Sequence, residues 1–242
     1  MEAPELVDIK EPIMAPSKGI AREGYPFIAV AFLIAAGVAW VGGPIAGAVS
    51  LALLAFVLNF FRDPERMPPA GEDLVVSPAD GKVISIAEVD EGRYVNRRMK
   101  RICVFMNVFN VHVNRIPVAG RIKEVRYNPG KFLMGYAEKA SLDNEQNAII
   151  IEVASRDTAL ATAREGSQTS PGKDVLFIQI AGLVARRIVC YLKGGEAVAR
   201  GERFGLIRFG SRVDVYLPLE AEVLVKVGEM VKAGETALGR LS

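Results

Sequence analysis

The most prominent pattern along the chain is a long apolar segment near its N-terminus. Between Tyr25 and Phe61 there is no Asp, Glu, Lys, Arg or His, a stretch of about 37 residues. One membrane-spanning helix needs only about 20. A Gly-Gly-Pro sequence at 42–44 interrupts the stretch near its middle. We therefore predict a hairpin of two apolar helices, over 25–41 and 44–61, that inserts into a membrane.

Basic residues flank this hairpin on both sides. Lys10, Lys18 and Arg22 precede it, and Arg62 and Arg66 follow it. Because positively charged flanks stay in the cytoplasm, we predict the inner cell membrane, with the catalytic domain on its cytoplasmic side. The apolar run is too long and begins too late for a cleaved signal peptide. A hairpin that only inserts into the surface, or a buried helical pair, is the alternative.

Beyond the hairpin the pattern changes to short apolar runs separated by Gly, Pro and Asp. Runs of this length that are rich in β-branched residues are typical of strands in a sandwich or barrel. The predicted strands cover 74–76, 82–86, 102–106, 148–153, 175–180 and 221–227. A helix is predicted around 134–146, and residues 182–190 fit either a helix or a strand.

Two short sequence patterns occur twice. PADGKV at 78–83 resembles PVAGRI at 117–122, and KGGEAVARGE at 193–202 resembles KVGEMVKAGE at 226–235. They look like the tight-turn hairpins of biotinyl- and lipoyl-carrier domains, in which glycines supply the positive φ of the turn. The carriers' Met-Lys-Met and Asp-Lys-Ala motifs are missing. The predicted fold is α+β, mainly β, with a duplicated β-sandwich or barrel-like catalytic core and an N-terminal hydrophobic helical hairpin.

Length and composition narrow the choice further. The 242 residues divide into a polar tail (1–23), the membrane hairpin (24–62) and one catalytic domain (63–242) of ordinary size. The net charge of +2 gives no support to a nucleic-acid partner. Cys103 and Cys190 lie in apolar runs without metal-site spacing, so we expect two buried free thiols, a reducing compartment and no metal.

Three side chains are candidates for catalysis. A serine hydroxyl in the step Gly210-Ser211 can attack the carbonyl of the preceding glycine, whose missing side chain lets the backbone bend. His112 is the only histidine, so any imidazole chemistry must use it. With Asp80, these residues provide a nucleophile, a base and a group that orients the base. The same residue types also fit a plain turn, a structural histidine and a turn aspartate.

Six motifs together resemble the phosphatidylserine decarboxylase proenzymes, in particular their short bacterial class. They are FRDPER at 61–66, SPADG at 77–81, FNVHVNRIP at 109–117, KASLDNE at 139–145, QIAGLVARR at 179–187 and RFGS at 208–211. The resemblance runs from about residue 25 to about residue 218. It implies a zymogen that cuts itself and makes its own covalent pyruvoyl cofactor, a form of pyruvate.

In that family's chemistry, Ser211 attacks the Gly210 carbonyl, and β-elimination then releases residues 1–210 as the large chain. Position 211 becomes the pyruvoyl group of the small chain, 211–242, with loss of ammonia. Its ketone condenses with the amine of phosphatidylserine and serves as the electron sink for decarboxylation to phosphatidylethanolamine. The implied partners are this lipid, an anionic membrane surface, and the two chains as a heterodimer or a higher oligomer.

The resemblance also implies roles for single residues. His112 is the general base in cleavage and the general acid in protonation, and Asp80 orients it. Longer members of the family have a second histidine where this chain has Arg115, and a threonine where it has Arg212. Arg115, Asn114 and Arg212 are the candidates for substrate binding.

Two functions of other classes stay open at this point. One is a membrane-anchored serine hydrolase, although the chain lacks the Gly-x-Ser-x-Gly elbow of such enzymes. The other is a non-enzymatic membrane adaptor with carrier-like β-sandwiches. Only the decarboxylase cuts itself at residue 211. The basic run 93–101 fits a solvated loop or a contact with anionic lipid headgroups.

Overall fold

A computed structural model describes residues 19–130, 144–153, 174–182, 187–208 and 211–242. After strand β1 (Gly19–Ile20) and one 3-10 turn, the chain forms helices α1 (Tyr25–Val41) and α2 (Gly43–Phe60). Both helices are long and apolar enough to cross a membrane, and they expose large apolar side chains such as Leu33 and Trp40. A helix satisfies its own backbone hydrogen bonds, as a bilayer requires. The predicted hairpin is therefore confirmed as a structural element.

Beyond the hairpin the described chain is built from antiparallel strands. They are β2 (Arg62–Asp63), β3 (Leu74–Val76), β4 (Gly81–Glu91), β5 (Arg97–Met106), β6 (Val113–Arg115), β7 (Gly120–Asn128), β8 (Gln146–Val153), β9 (Asp174–Ala181), β10 (Ile188–Cys190), β11 (Ala197–Val198), β12 (Arg203–Ile207), β13 (Ser211–Leu217), β14 (Glu222–Val223), β15 (Met230–Val231) and β16 (Ala237–Arg240). The mainly-β prediction is confirmed.

The main sheet has eight strands in the order β11-β7-β8-β9-β13-β5-β4-β15. Two three-stranded sheets, β10-β12-β6 and β14-β16-β3, pack against it. The hydrophobic core lies between the main sheet and these smaller ones, where for example Phe177 of β9 meets Phe204 of β12 at 5.3 Å between ring centroids. This layering buries apolar residues from nearly all the long strands.

Strand β13 lies in the middle of the main sheet, with β5 on one side and β9 on the other. Successive side chains of a strand point to opposite faces. Val213, Val215 and Leu217 belong to the main core cluster, whereas Arg212 and Asp214 lie on the opposite face. All seven residues of β13 are buried, so both faces of this strand are covered.

The repeated sequence patterns form two matching strand pairs at the two edges of the main sheet. β15 pairs with β4 at one edge, and β11 pairs with β7 at the other. Gly228 and Gly195 occupy the equivalent turns with φ of 95° and 87°, values that glycine adopts without strain. Their N–H groups donate to the carbonyls of Val83 and Ile122, each at 2.7 Å. The predicted duplication is present in the structure.

Some element predictions differ from the structure. Within 221–227 only Glu222–Val223 is a strand, because the chain then turns towards β15. Strand β10 settles the choice between helix and strand for 188–190. The helix predicted over 134–146 lies mostly outside the described residues, and its last residue, Gln146, begins β8. The polar tail lies outside them up to residue 18.

Candidate active site

Ser211 is the first residue of β13, at one end of the main sheet. Its register partners are Met106 of β5 and Ala181 of β9, and its side chain shares the core-facing side with Val213. Ser211 is fully buried, and its Oγ has no hydrogen-bond partner in the described part of the chain. A buried hydroxyl without a partner costs about 1–3 kcal/mol, which indicates a functional role. Gly210 lies outside the described residues.

His112 reaches the same region from a different sheet. It lies directly before β6, and its carbonyl accepts a hydrogen bond of 3.4 Å from Ile207 at the end of β12. The chain arrives at Ser211 four residues after Ile207. The imidazole Nδ1 lies 2.9 Å from the Asn110 carbonyl, which assigns the proton to Nδ1 and the lone pair to Nε2. That Nε2 is buried, with no partner among the described residues.

The surroundings of His112 keep its imidazole neutral. Burial lowers the pKa of His112 from 6.5 to about 4, the Asn110 hydrogen bond raises it, Arg62 lowers it, and Asp80 raises it. Phe60 covers one face of the ring, with 4.0 Å between the ring centroids and 31° between the planes. A neutral imidazole with a free Nε2 is the form that a general base requires.

Phe60 belongs to a series of stacked rings that runs through the base of the hairpin. The ring centroid of Phe61 lies 5.0 Å from that of Phe60, and the ring centroid of Phe27 in α1 lies 5.4 Å from that of Phe61. One turn earlier in α2, Phe56 contacts Phe109 of the loop before His112 at 5.9 Å. Such ring pairs contribute about 0.5–1.5 kcal/mol each beyond their burial. The end of the hairpin therefore forms one wall of the histidine's pocket.

Asp80 makes its hydrogen bonds to other groups than His112. Both carboxylate oxygens accept from Arg66, at 2.5 and 2.9 Å. The backbone N–H of Ala233 donates to Oδ1 at 2.8 Å. The charge of Asp80 still raises the pKa of the imidazole. Its role as the group that orients His112 stays a prediction.

The segment after α2 is tied to the catalytic core by its charged side chains. Arg62 donates to the Phe109 carbonyl at 2.7 Å. Asp63 accepts from Arg203 at 2.8 and 2.9 Å, and Glu65 accepts from the same arginine at 2.8 Å. These contacts give a physical reason for the FRDPER motif, because they fix the end of the hairpin to the core.

Arg115 occupies the position of the second family histidine and contacts the same segment. Its guanidinium donates to the carbonyls of Gly201 at 2.9 Å and Pro64 at 2.8 Å. It also lies 3.5 Å from Asp63. These contacts give Arg115 an anchoring role, and its predicted contact with substrate stays a prediction.

Arg212 points away from the side of β13 that carries the Ser211 hydroxyl, because neighbouring strand residues alternate. Its guanidinium donates to both oxygens of Asp214, at 2.5 and 2.7 Å, and lies 3.1 Å from the Cys103 sulfur. Burial raises the pKa of the Cys103 thiol to about 12. Cys103 and Cys190 are both free, as predicted, but only Cys103 is fully buried, whereas Cys190 is partly exposed. Substrate binding by Arg212 stays a prediction that this geometry does not favour.

A buried amide network beside Ser211 was not foreseen from the sequence. Gln179 of β9 donates to Asn114 at 2.9 Å and accepts from Asn147 of β8 at 3.1 Å. Gln179 and Ser211 lie on the core-facing side of neighbouring strands, and Gln179 pairs with Val213, two residues along β13 from Ser211. The signal in the sequence is a polar amide within an otherwise apolar strand run. Asn114, predicted as a substrate contact, is a member of this network.

The basic run 93–101 lies far from this site. Strand β5 begins at Arg97 and ends at Met106 beside Ser211, and a strand rises about 3.3 Å per residue, which gives about 30 Å. Arg93 donates to Asn128 and Arg97 to the Asp174 carbonyl. The helical hairpin lies at the opposite end of β5. This placement does not favour a headgroup contact beside the active site. The solvated-loop alternative holds only for 93–96, because residues 97–101 belong to β5 and Met99 is buried.

Comparisons with known proteins show the family of the chain. The family model of phosphatidylserine decarboxylase matches residues 53–239. A phosphatidylserine decarboxylase proenzyme of Burkholderia lata is 49% identical over 226 residues, 93% of this chain and 98% of that protein. Proenzymes of the same name from Magnetococcus marinus and Polynucleobacter asymbioticus are each 45% identical, over 94% and 95% of this chain and 98% of their own length. The chain belongs to the phosphatidylserine decarboxylase family.

Proposed function

We propose that Ser211 and His112 carry out the reaction of this family, the decarboxylation of phosphatidylserine to phosphatidylethanolamine, after the chain has cut itself between Gly210 and Ser211. The chain is thus a carboxy-lyase of phospholipid biosynthesis. One observation carries the proposal. Two buried reactive atoms, Ser211 Oγ and His112 Nε2, have no hydrogen-bond partner among the described residues, and the His112 carbonyl is bonded to Ile207, four residues before Ser211.

Self-cleavage uses groups that belong to the chain itself. His112 Nε2 takes the proton from Ser211 Oγ, and the oxygen attacks the Gly210 carbonyl carbon. The peptide C–N bond breaks as the ester C–O bond forms, and the nitrogen of residue 211 takes up a proton. A base then takes the Cα proton of residue 211 and the Cβ–O bond breaks, which frees residues 1–210 as a carboxylate and leaves dehydroalanine at 211. Water replaces its nitrogen, which departs as ammonia, and a pyruvoyl ketone results.

The site fits a pyruvoyl group at position 211. Ser211 Oγ leaves with the carboxylate of residue 210, and it has no hydrogen bond to lose in that step. The ketone oxygen takes the place of the nitrogen of residue 211. When formed, the group supplies the electron sink for the loss of carbon dioxide. His112 is the only histidine. It donates a proton to the substrate carbon from which carbon dioxide has left. Phe60 and the rings behind it exclude water from this side of the imidazole.

The hairpin brings the enzyme to a substrate that stays in the bilayer. Both of its ends join the same domain, so the domain lies on one side of the membrane. Basic residues on both flanks, among them Arg22 and Arg62, support the cytoplasmic side of the inner membrane. The large and small chains then form the mature heterodimer at that surface.

Intact-mass measurement on purified, active protein tests the proposal. We expect two chains, residues 1–210 and residues 211–242, with the amino group of residue 211 replaced by a ketone oxygen. The same sample should convert phosphatidylserine into phosphatidylethanolamine. An active preparation that holds only the uncut chain would overturn the proposed mechanism.

A further inference from the structure

Two arginines beside the active site have no part in the steps described above. Arg208 lies three residues before Ser211, and its N–H donates to the Arg187 carbonyl at 3.3 Å. Because β10 and β12 pair Ile188 with Ile207, Arg187 and Arg208 lie directly across from each other. Side chains at such opposed positions lie on the same face of a sheet. The fold therefore places two positive charges side by side.

No carboxylate in the described part of the chain forms an ion pair with either charge. Like charges directly opposite each other are destabilising. Neither guanidinium has a hydrogen-bond or carboxylate partner among the described residues, and the Nε of Arg208 is buried. Glu23, on the segment before α1, accepts instead from the hydroxyl of Tyr191. A buried guanidinium nitrogen without a partner indicates an external anion as its ligand.

The position of Arg208 relative to the hairpin specifies where that anion lies. Its guanidinium lies over the ring of Phe27, 5.0 Å from the centroid. Phe27 is the third residue of α1, at the end of the apolar stretch where aromatic side chains mark the membrane–water interface. Lipid phosphates lie at this same level. Phe27 is also the outer end of the ring series that leads to His112.

The distance from the reacting residue fits a phospholipid. Three residues of extended chain span at most about 10 Å, so the Cα atom of Arg208 lies within about 10 Å of the Cα atom of Ser211. In phosphatidylserine one CH₂ group and one oxygen separate the phosphorus from the carbon that bears the amine. The groups that bind phosphate must therefore lie close to residue 211. Guanidinium groups bind two phosphate oxygens at once.

We propose that Arg187 and Arg208 bind the phosphodiester of the lipid headgroup and so position its serine amine at residue 211. This inference rests on the proposed function and adds a binding site to it. The pair takes the role that the sequence suggested for Arg212, which is bound to Asp214 on the other face of β13.

A binding measurement tests this site without turnover. The probe is sn-glycero-3-phosphoglycerol, a soluble phosphodiester without an amine, titrated by ligand-detected NMR against mature enzyme in phosphatidylcholine nanodiscs. We expect Arg208→Gln and Arg187→Gln each to weaken binding about tenfold, as for the loss of one charge-assisted hydrogen bond. Arg208→Lys keeps the charge and should fall in between. Arg98→Gln, an exposed control at the far end of β5, should bind as the wild type does.

Inorganic phosphate is titrated in parallel, because a free anion has the same chemistry. Binding of phosphate as tight as that of the diester, with equal loss in both variants, would overturn the assignment to a lipid headgroup. Unchanged diester binding in Arg208→Gln, Arg208→Lys and Arg187→Gln would overturn the site itself.

Steady-state kinetics separate this inference from the proposed function. In mixed micelles, Arg208→Gln and Arg187→Gln should raise KM for phosphatidylserine, with kcat changed less than KM and with complete self-cleavage on a gel. Normal KM values in cleaved, active variants would remove only the arginine site. A wild-type chain that neither cleaves nor decarboxylates would remove the proposed function first.

Discussion

The ring of Phe60, the last residue of α2, lies 4.0 Å from the ring of His112. Phe60 is 1% exposed and His112 is 2% exposed. An anchor that only tethered the enzyme to a membrane would have no contact with the imidazole. Here the apolar hairpin contributes to the burial that lowers the pKa of the histidine, so the anchor is also part of the active site.

Replacement of Phe60 by leucine should alter the pH dependence of self-cleavage. A smaller side chain admits water to the imidazole, so the pKa of His112 rises from about 4 towards 6.5. Because the base works in its neutral form, the acidic limb of the cleavage profile should move to higher pH, with little change at pH 8. Freshly synthesised precursor can be followed on gels from pH 4.5 to 8.

Phe56→Leu is the matched control, since Phe56 lies one turn earlier in α2 and contacts Phe109 rather than the imidazole. Identical profiles for Phe60→Leu and wild type would contradict the assigned role of Phe60.

His112 should make the uncut precursor less stable in acid. Its folded pKa, about 4, lies below the ordinary 6.5, so the unfolded chain binds the proton more tightly. The contribution of the neutral imidazole to the free energy of unfolding is complete above pH 6.5. It is lost as the pH falls towards 4, by at most about 3 kcal/mol. Thermal unfolding of Ser211→Ala at pH 7 and pH 4.5 should show the loss. The same comparison in Ser211→Ala/His112→Gln should show less; equal losses would contradict the buried neutral imidazole.

Asp80 and Arg66 form a buried pair, so removal of one partner should leave the other charge uncompensated. Asp80→Asn and Arg66→Gln should each destabilise the precursor by about 3–5 kcal/mol and slow its cleavage. If Asp80 acts by anchoring the segment after the hairpin, the double variant should be little worse than either single one. Melting temperatures and cleaved fractions give this cycle. Normal cleavage in Arg66→Gln but not in Asp80→Asn would instead favour a direct action of Asp80 on His112.

Ser211→Ala should abolish cleavage and decarboxylation without a loss of stability. The Oγ has no hydrogen bond in the described structure, so its removal relieves an unsatisfied polar atom worth about 1–3 kcal/mol. The comparison is made between His112→Gln and His112→Gln/Ser211→Ala, because neither of these proteins cleaves itself. The added Ser211→Ala change should leave the melting temperature equal or higher. Ser242→Ala, at an exposed serine of the same small chain, should cleave normally. A marked drop in melting temperature on adding Ser211→Ala would show that the hydroxyl has a structural partner.

Much of this organisation follows from local patterns in the sequence. The charge-free stretch specified the hairpin, and the repeated turn glycines specified the duplication. Alternation along β13 could also have predicted that the side chains of Ser211 and Arg212 point to opposite faces of the sheet. The apolar residues 213, 215 and 217 share a face with Ser211. The contacts of Phe60 with His112 and of Arg66 with Asp80 join different elements. No local periodicity encodes such contacts, so they required the tertiary structure.

The central place of β13 determines what a cut before Ser211 does to the molecule. Residues 211–242 would stay hydrogen-bonded through β13 to β5 and β9, through β15 to β4, and through β16 to β3. Every one of these neighbours lies in the part before residue 210. The two fragments could separate only if the main sheet came apart, so they unfold together as one cooperative unit. Backbone scission thus creates a new chain terminus inside the protein while the noncovalent assembly keeps its shape.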